Sequence, residues 1–234
     1  MTIRGLAFDI FGTVVDWRGS IATEAERLLG AGGHQADWNA LAVDWRGRYQ
    51  PSMDRVRKGE LPWTLLDDLH ARSLPKVLSE HGISGVGRAH RNQLVLAWHR
   101  LAPWPDSVGG LERLGARFQL VTLSNGNRSL LTDLVRGAGL PFDQVLSAED
   151  VQAYKPDPRM YLHAVEVVGG SPEQTLMVAA HLSDLQAAAR SGLGTAFITR
   201  PQEWSGAGAP AEAPKPWLDY YATDLEDLAR QLGC

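Results

Sequence analysis

Leu6-Ala7-Phe8-Asp9-Ile10-Phe11-Gly12-Thr13-Val14-Val15-Asp16 decides the fold. The run is apolar as far as Asp9 and then turns through Gly12 and a hydroxyl at Thr13, the pattern of a buried strand that ends on a carboxylate. Open α/β sheets bind their ligands at the carboxyl ends of the strands. Asp9 is therefore either placed for chemistry or simply caps the next turn, as Asp often does.

Beyond Asp16 no convincing strand follows until about residue 99. Ser20 suits a helix cap for a run through Leu29 that ends at Gly30 and the Gly32-Gly33 pair, and Asp37 suits a cap for a helix carrying Leu41, Trp45 and Arg46. A third helix is expected from Pro62-Trp63 with Leu65, Leu66, Leu69 and Leu74, and a fourth from Val86 through Leu94 to Trp98. Five of the eight tryptophans (Trp17, Trp38, Trp45, Trp63, Trp98) fall in this helical stretch. They either pack around a groove or serve as ordinary core aromatics of a bundle.

From Pro103 strand and helix alternate. Strands are expected at Phe118–Leu123, Val145–Leu146, Thr175–Ala179, Thr195–Ile198 and, at an edge, Tyr220–Thr223. Helices are expected at Asp106–Leu114, Asn127–Val135, Pro158–Val168, Ser183–Ser191 and Leu225–Leu232. Regular alternation implies right-handed crossovers and a parallel sheet covered on both faces. The fold class is thus α/β, a Rossmann-like parallel sheet from residues 1–15 and 100–234 with a helical unit, 16–99, inserted after the first strand. Pro201 to Pro216, rich in Pro, Gly and Ala, reads as a surface loop.

The chain has 234 residues, 44% hydrophobic and 21% charged, which is enough for a sizeable core and too apolar for disorder. A net charge of −4 disfavours nucleic acid or an anionic membrane as the main partner, leaving a small molecule as the default. The single cysteine, Cys234, excludes an intramolecular disulfide and a cysteine-based metal site. The N-terminus enters a strand without a basic region and long apolar run, and no stretch approaches a membrane span, so a cytoplasmic location is expected.

Three more polar clusters fall where strands end. Ser124-Asn125-Gly126-Asn127 opens a helix and is either an anion site or a plain cap. Ala153-Tyr154-Lys155-Pro156-Asp157-Pro158-Arg159-Met160-Tyr161 holds a lysine between two rigid prolines. Ala179-Ala180-His181-Leu182-Ser183-Asp184 puts an acid in the first turn of a helix, where the dipole favours it in any case.

In order and spacing, these clusters resemble the four motifs of the haloacid dehalogenase (HAD) superfamily, and the insert is similar to its cap. Most members are magnesium phosphatases with a second Asp two positions after the nucleophile, where this chain has Phe11. A halide is a weak base and leaves without the proton that acid supplies. The magnesium site also needs oxygen ligands that Ala179, Ala180 and His181 do not provide. The pattern therefore resembles the type II 2-haloacid dehalogenases, and no metal and no cofactor are expected.

That resemblance implies Asp9 as the nucleophile that displaces halide to give an aspartyl ester. Thr13, Ser124 and Lys155 would orient its carboxylate, Asp184 would activate the water that opens the ester, and Tyr161 would support them. Arg46, in Asp44-Trp45-Arg46-Gly47-Arg48-Tyr49, would reach over from the cap. Asn125, with Phe11 and Trp63, would line the substrate and halide pocket. His181 stands where the best-known members have asparagine: it either donates to substrate or halide, or is a satisfied histidine in a strand-end turn. The partners implied are a 2-haloacid, halide and water, with a homodimer as an assembly the resemblance allows. The alternatives are a magnesium-dependent phosphatase or phosphonate hydrolase, and a non-catalytic module that binds a small carboxylate.

Overall fold

The computed structural model describes residues 2–204 and 213–234. In chain order the elements are β1 (Gly5–Phe8), β2 (Val15–Asp16), α1 (Trp17–Ala25), α2 (Trp38–Gly47), α3 (Tyr49–Arg57), α4 (Leu66–Glu80) and α5 (Arg88–Ala97). They continue with β3 (Ala102–Pro103), α6 (Ser107–Gly115), β4 (Gln119–Thr122), α7 (Arg128–Gly137), α8 (Ala148–Val151) and α9 (Pro158–Val168). The chain closes with β5 (Thr175–Ala179), α10 (Leu182–Arg190), β6 (Gly194–Ile198), β7 (Tyr220–Ala222) and α11 (Leu225–Gln231).

Five strands form a parallel sheet in the order β4-β1-β5-β6-β7. Phe8 pairs with Thr122 on one side and Val178 on the other, so β1 lies inside the sheet with Leu6, Ala7 and Phe8 fully buried. The chain leaves β1 for β4 and later returns on its opposite side at β5. That reversal makes the carboxyl end of β1, where Asp9 stands, the topological switch point.

The expected strand at Val145–Leu146 is replaced by isolated bridges at Gln144 and Ser147. The Thr122 hydroxyl explains it: it donates to the Leu146 carbonyl (2.9 Å) and accepts from the Leu146 N–H (2.8 Å), so a side chain takes the place of ladder bonds. The first cap of the insert also moves. Asp16, not Ser20, accepts from the Gly19 N–H, and α1 begins at Trp17. Ser20 instead donates to the Asp16 carbonyl and accepts from Ala102 N–H, which braces the short antiparallel pair β2-β3 through which the chain enters and leaves the helical insert. α3 was not legible because it buries only Tyr49 and Met53, too few for a periodic signal. The part of the Pro201–Pro216 loop at residues 205–212 lies outside the described residues.

The helical insert packs around aromatic rings. Trp45, His70 and Trp98 meet one another, with His70 stacked on Trp98 at 4.3 Å. Burial pushes the His70 imidazole down to about 3, so it fills the core as a neutral ring. Among the described residues, no helix is long and apolar enough to cross a membrane.

Candidate active site

The motif residues converge on one cleft of about 630 Å³ between the carboxyl edge of the sheet and α2 and α3. Asp9 is held at its floor by its own N–H, which donates to the Val178 carbonyl (3.0 Å). Its Oδ1 accepts from Lys155 Nζ at 2.9 Å, and its Oδ2 accepts from the Thr13 hydroxyl at 2.9 Å and from His181 Nδ1 at 3.0 Å. Ala180 N–H donates to Thr13 Oγ1 (2.9 Å), which directs the hydroxyl proton of Thr13 toward Asp9.

Electrostatics follow from these contacts. Burial alone would raise the Asp9 pKa, but the Lys155 charge and the His181 hydrogen bond outweigh it and hold the carboxyl far below its usual range. Lys155 is 7% exposed and lies 2.5 Å from Asp184 Oδ2 as well as 2.9 Å from Asp9. Burial opposes its charge, yet the two carboxylates raise its pKa and keep it an ammonium. Asp184 has the opposite bias. Burial pushes its pKa up, Asp9 adds to this, and Lys155 only partly offsets them. The Tyr161 hydroxyl donates to Asp184 Oδ1 (2.6 Å) and fixes that carboxyl's orientation.

His181 lines the cleft with both ring nitrogens partnered, one of them by a residue the sequence did not reveal. Its Nε2 lies 3.0 and 3.1 Å from the two oxygens of Glu203, which is 3% exposed. Burial would discharge the ring, but hydrogen bonds to Asp9 and Glu203 raise its pKa to about 10. Both ring nitrogens then carry protons, and His181 donates to the nucleophile rather than to the space where a halide would sit. Gly12, at φ +86°, permits this: a Cβ there would lie 2.2 Å from Glu203 Oε1.

From the helical insert come Arg46 and Tyr49. The Arg46 guanidinium stacks 3.9 Å from the Tyr49 ring centre and is 8% exposed. Among the described residues it makes no ion pair and its Nε has no hydrogen-bond partner, so this buried cation is suited to an anionic ligand. Phe11 lines the cleft beneath, its ring edge-on to Tyr49 and Trp98. Asn125 also lines it, with its Oδ1 committed to the Lys155 backbone N–H (2.7 Å).

Two expected residues stand elsewhere. The Ser124 hydroxyl accepts from Gly126 N–H (3.3 Å), within its own turn, and makes no hydrogen bond to Asp9. Trp63 does not line the cleft; it packs on Tyr154 at 4.8 Å, behind the lysine. Ser124 thus lies in the turn that carries Asn125, and Trp63 packs on the residue before Lys155.

The family model of the haloacid dehalogenase-like hydrolases matches residues 3–192. The chain belongs to that family. Within it, the chain is 32% identical over 213 residues to (S)-2-haloacid dehalogenase 1 of Pseudomonas sp. (strain CBS-3), covering 87% of this chain and 88% of that one. A crystal structure of a defluorinating L-2-haloacid dehalogenase matches with a TM-score of 0.94 at 43% identity, covering 99% of this chain and 96% of the other. The L-2-haloacid dehalogenase from Xanthobacter autotrophicus with chloropropionic acid covalently bound matches with a TM-score of 0.82 at 26% identity, covering 99% and 98%. This chain is a member of the 2-haloacid dehalogenase group of the family.

Residues of this HAD site that the sequence did not single out include Tyr49 under the Arg46 guanidinium and three more. Glu203 and Trp204 lie in the loop after β6, and Arg57 of α3 donates to the Lys155 carbonyl. The available signal for the first two was position: the loop leaves the carboxyl end of a parallel strand, the same edge that carries the four motifs.

Proposed function

We propose that this protein is a hydrolase that replaces halide by hydroxide on short (S)-2-haloacids through an ester on Asp9. The observation that carries this reading is the placing of an ionised, donor-held Asp9 and the buried cation of Arg46, which makes no ion pair among the described residues, in one small cleft. An anionic substrate and an anionic nucleophile repel each other. Arg46 and Asn125 bind the substrate carboxylate and the departing halide, while Lys155 and His181 compensate the charge of Asp9.

In the first step Asp9 Oδ1 attacks C2, the carbon–halogen bond breaks, and the halide leaves with the bonding pair. Oδ1 is the attacking oxygen because Lys155 alone donates to it, whereas both Thr13 and His181 donate to Oδ2. In-line attack inverts C2, so an (S)-haloacid yields an (R)-hydroxyacid. Asp184, whose raised pKa suits a base, then takes a proton from the water that opens the ester. Phe11, standing where a phosphatase needs an acid, is consistent with a leaving group that departs unprotonated.

Residues 16–99 act in this reading as a cap that brings Arg46, Tyr49 and Arg57 over the core. Halide release from 2-fluoro-, 2-chloro- and 2-bromo acids, assayed with and without EDTA, tests the proposal. Stoichiometric halide and hydroxyacid, unchanged by EDTA, are expected. Failure to release any halide, or phosphate-ester turnover that requires magnesium, contradicts it.

A further inference from the structure

We infer that Glu203 is a positioning residue: it holds His181 as the charged half of an oxyanion hole, completed by Thr13, for the step that opens the Asp9 ester. This inference rests on the dehalogenase reading above. It starts from the unequal surroundings of the two Asp9 oxygens. Oδ2 already accepts two hydrogen bonds, from Thr13 at 2.9 Å and His181 at 3.0 Å, so its lone pairs are engaged. When Oδ1 has become the ester oxygen, Oδ2 is the carbonyl oxygen, and it keeps both donors.

Water then adds to Cγ. A carbon–oxygen bond forms, the carbonyl π pair moves onto Oδ2, and one water proton passes to Asp184. Collapse restores the carbonyl and breaks the Cγ–Oδ1 bond, so the 2-hydroxyacid leaves with Oδ1. Its alkoxide takes a proton from Lys155, which bridges Oδ1 and Asp184 and is reprotonated by Asp184. The second water proton passes to solvent as the Asp9 carboxyl reionises, which is the one proton released per turnover. Once the ester has formed, Oδ2 is a neutral carbonyl oxygen that regains full negative charge only in the tetrahedral intermediate of this step, where preorganised donors already aimed at it are worth most.

His181 cannot serve the departing halide in the same way. In-line displacement puts the halide on the far side of C2 from Asp9, while His181 Nδ1 is bonded to Asp9 itself. The charged groups facing or lining the cleft around His181 are Asp9, Glu203, Lys155, Asp184, Arg190 and Arg46. Of these only Asp9 and Glu203 touch it. Glu203 is in turn locked in place: Trp17 Nε1 donates to its Oε1 (2.9 Å), and its carboxyl packs on Gly12 in the nucleophile turn. Such a buried carboxylate fixes both the orientation and the charge of its imidazole partner.

Glu203→Gln separates this role from simple support. With 2-chloropropionate as probe, rapid quench should show a halide burst equal to the enzyme and within about 3-fold of the wild-type rate, followed by turnover slowed about 10-fold or more. Mass spectrometry of the stalled enzyme should find the ester on Asp9. With one carboxylate partner gone, the imidazole pKa falls toward its ordinary value of about 6.5, so turnover of the variant should decline from pH 6 to 9 where the wild type is flat. Loss of burst and turnover together, or slow turnover with no accumulated ester and an unchanged pH profile, overturns the inference. If Glu203→Gln does not fold, Glu203→Asp, which keeps the carboxylate but withdraws it from His181 Nε2, carries the same test: burst retained with ester accumulating supports it, and both lost together refutes it. A wild-type enzyme that releases no halide from any 2-haloacid would defeat the dehalogenase reading itself, a separate outcome.

Discussion

Replacing Lys155 by methionine removes the cation on which two carboxylates depend while keeping most of its volume. At 2.9 Å and an effective dielectric near 20, the Lys155–Asp9 attraction is about 6 kcal/mol before desolvation. If burial costs offset half of that, about 3 kcal/mol is lost, or about 10²-fold in the rate of halide displacement. Thr13 and His181 still donate to Asp9, so the extra proton goes to Asp184, whose pKa is already raised. The variant should therefore also open its ester slowly. Breaking a buried pair costs about 3–5 kcal/mol of stability at neutral pH. Without Lys155, Asp184 has a folded pKa still further above its unfolded one, so the destabilisation should grow as pH rises from the unfolded toward the folded value. Single-turnover halide release, with urea unfolding at pH 5 and 8, measures both effects. Halide release within about 3-fold of wild type, or a stability loss below about 1 kcal/mol that is flat with pH, would refute the argument that the two carboxylates depend on the Lys155 cation.

Arg46→Lys keeps the charge but not the planar fork, and it should lose about 10²-fold or more in kcat/KM while its unfolding midpoint moves little; near-normal turnover would mean that Arg46 is not the anion clamp. His99 joins Asp67 of α4 (3.1 Å) to Asp133 of α7 (2.8 Å), tying the insert to the core. Burial opposes its charge, but both carboxylates raise its pKa, so its contribution is complete below about pH 6.5 and is lost as pH rises through the folded value. The thermal midpoint should therefore fall with rising pH above neutrality, and His99→Gln should flatten that slope; an unchanged slope would show that the pair carries no linkage.

The sheet was legible because its strands are short apolar runs ending in polar motifs, and Asp9, Lys155 and Asp184 were legible because they stand at those ends. Arg46 could be placed only through the resemblance, since nothing in the periodicity of α2 says that a buried cation crosses the cleft. Glu203 was hidden for a different reason. Its function lies in a contact with a residue 22 positions earlier and with the bare Cα of Gly12, neither of which leaves a local pattern. Ser124 and Trp63 show the converse: residues in a motif, or next to one, whose contacts in the fold run to their own turn and to Tyr154 rather than to Asp9.

Covalent catalysis by Asp9 is tested most directly by a single turnover in ¹⁸O-labelled water with enzyme in excess over a 2-haloacid. If Asp9 Oδ1 attacks carbon, the product hydroxyl carries the aspartate's own oxygen, and label appears in the Asp9 carboxylate after the ester opens. The expected result is unlabelled 2-hydroxyacid and a labelled peptide containing Asp9. Labelled product in that first turnover, with no label in Asp9, would show that water attacks the substrate directly and that Asp9 is a base.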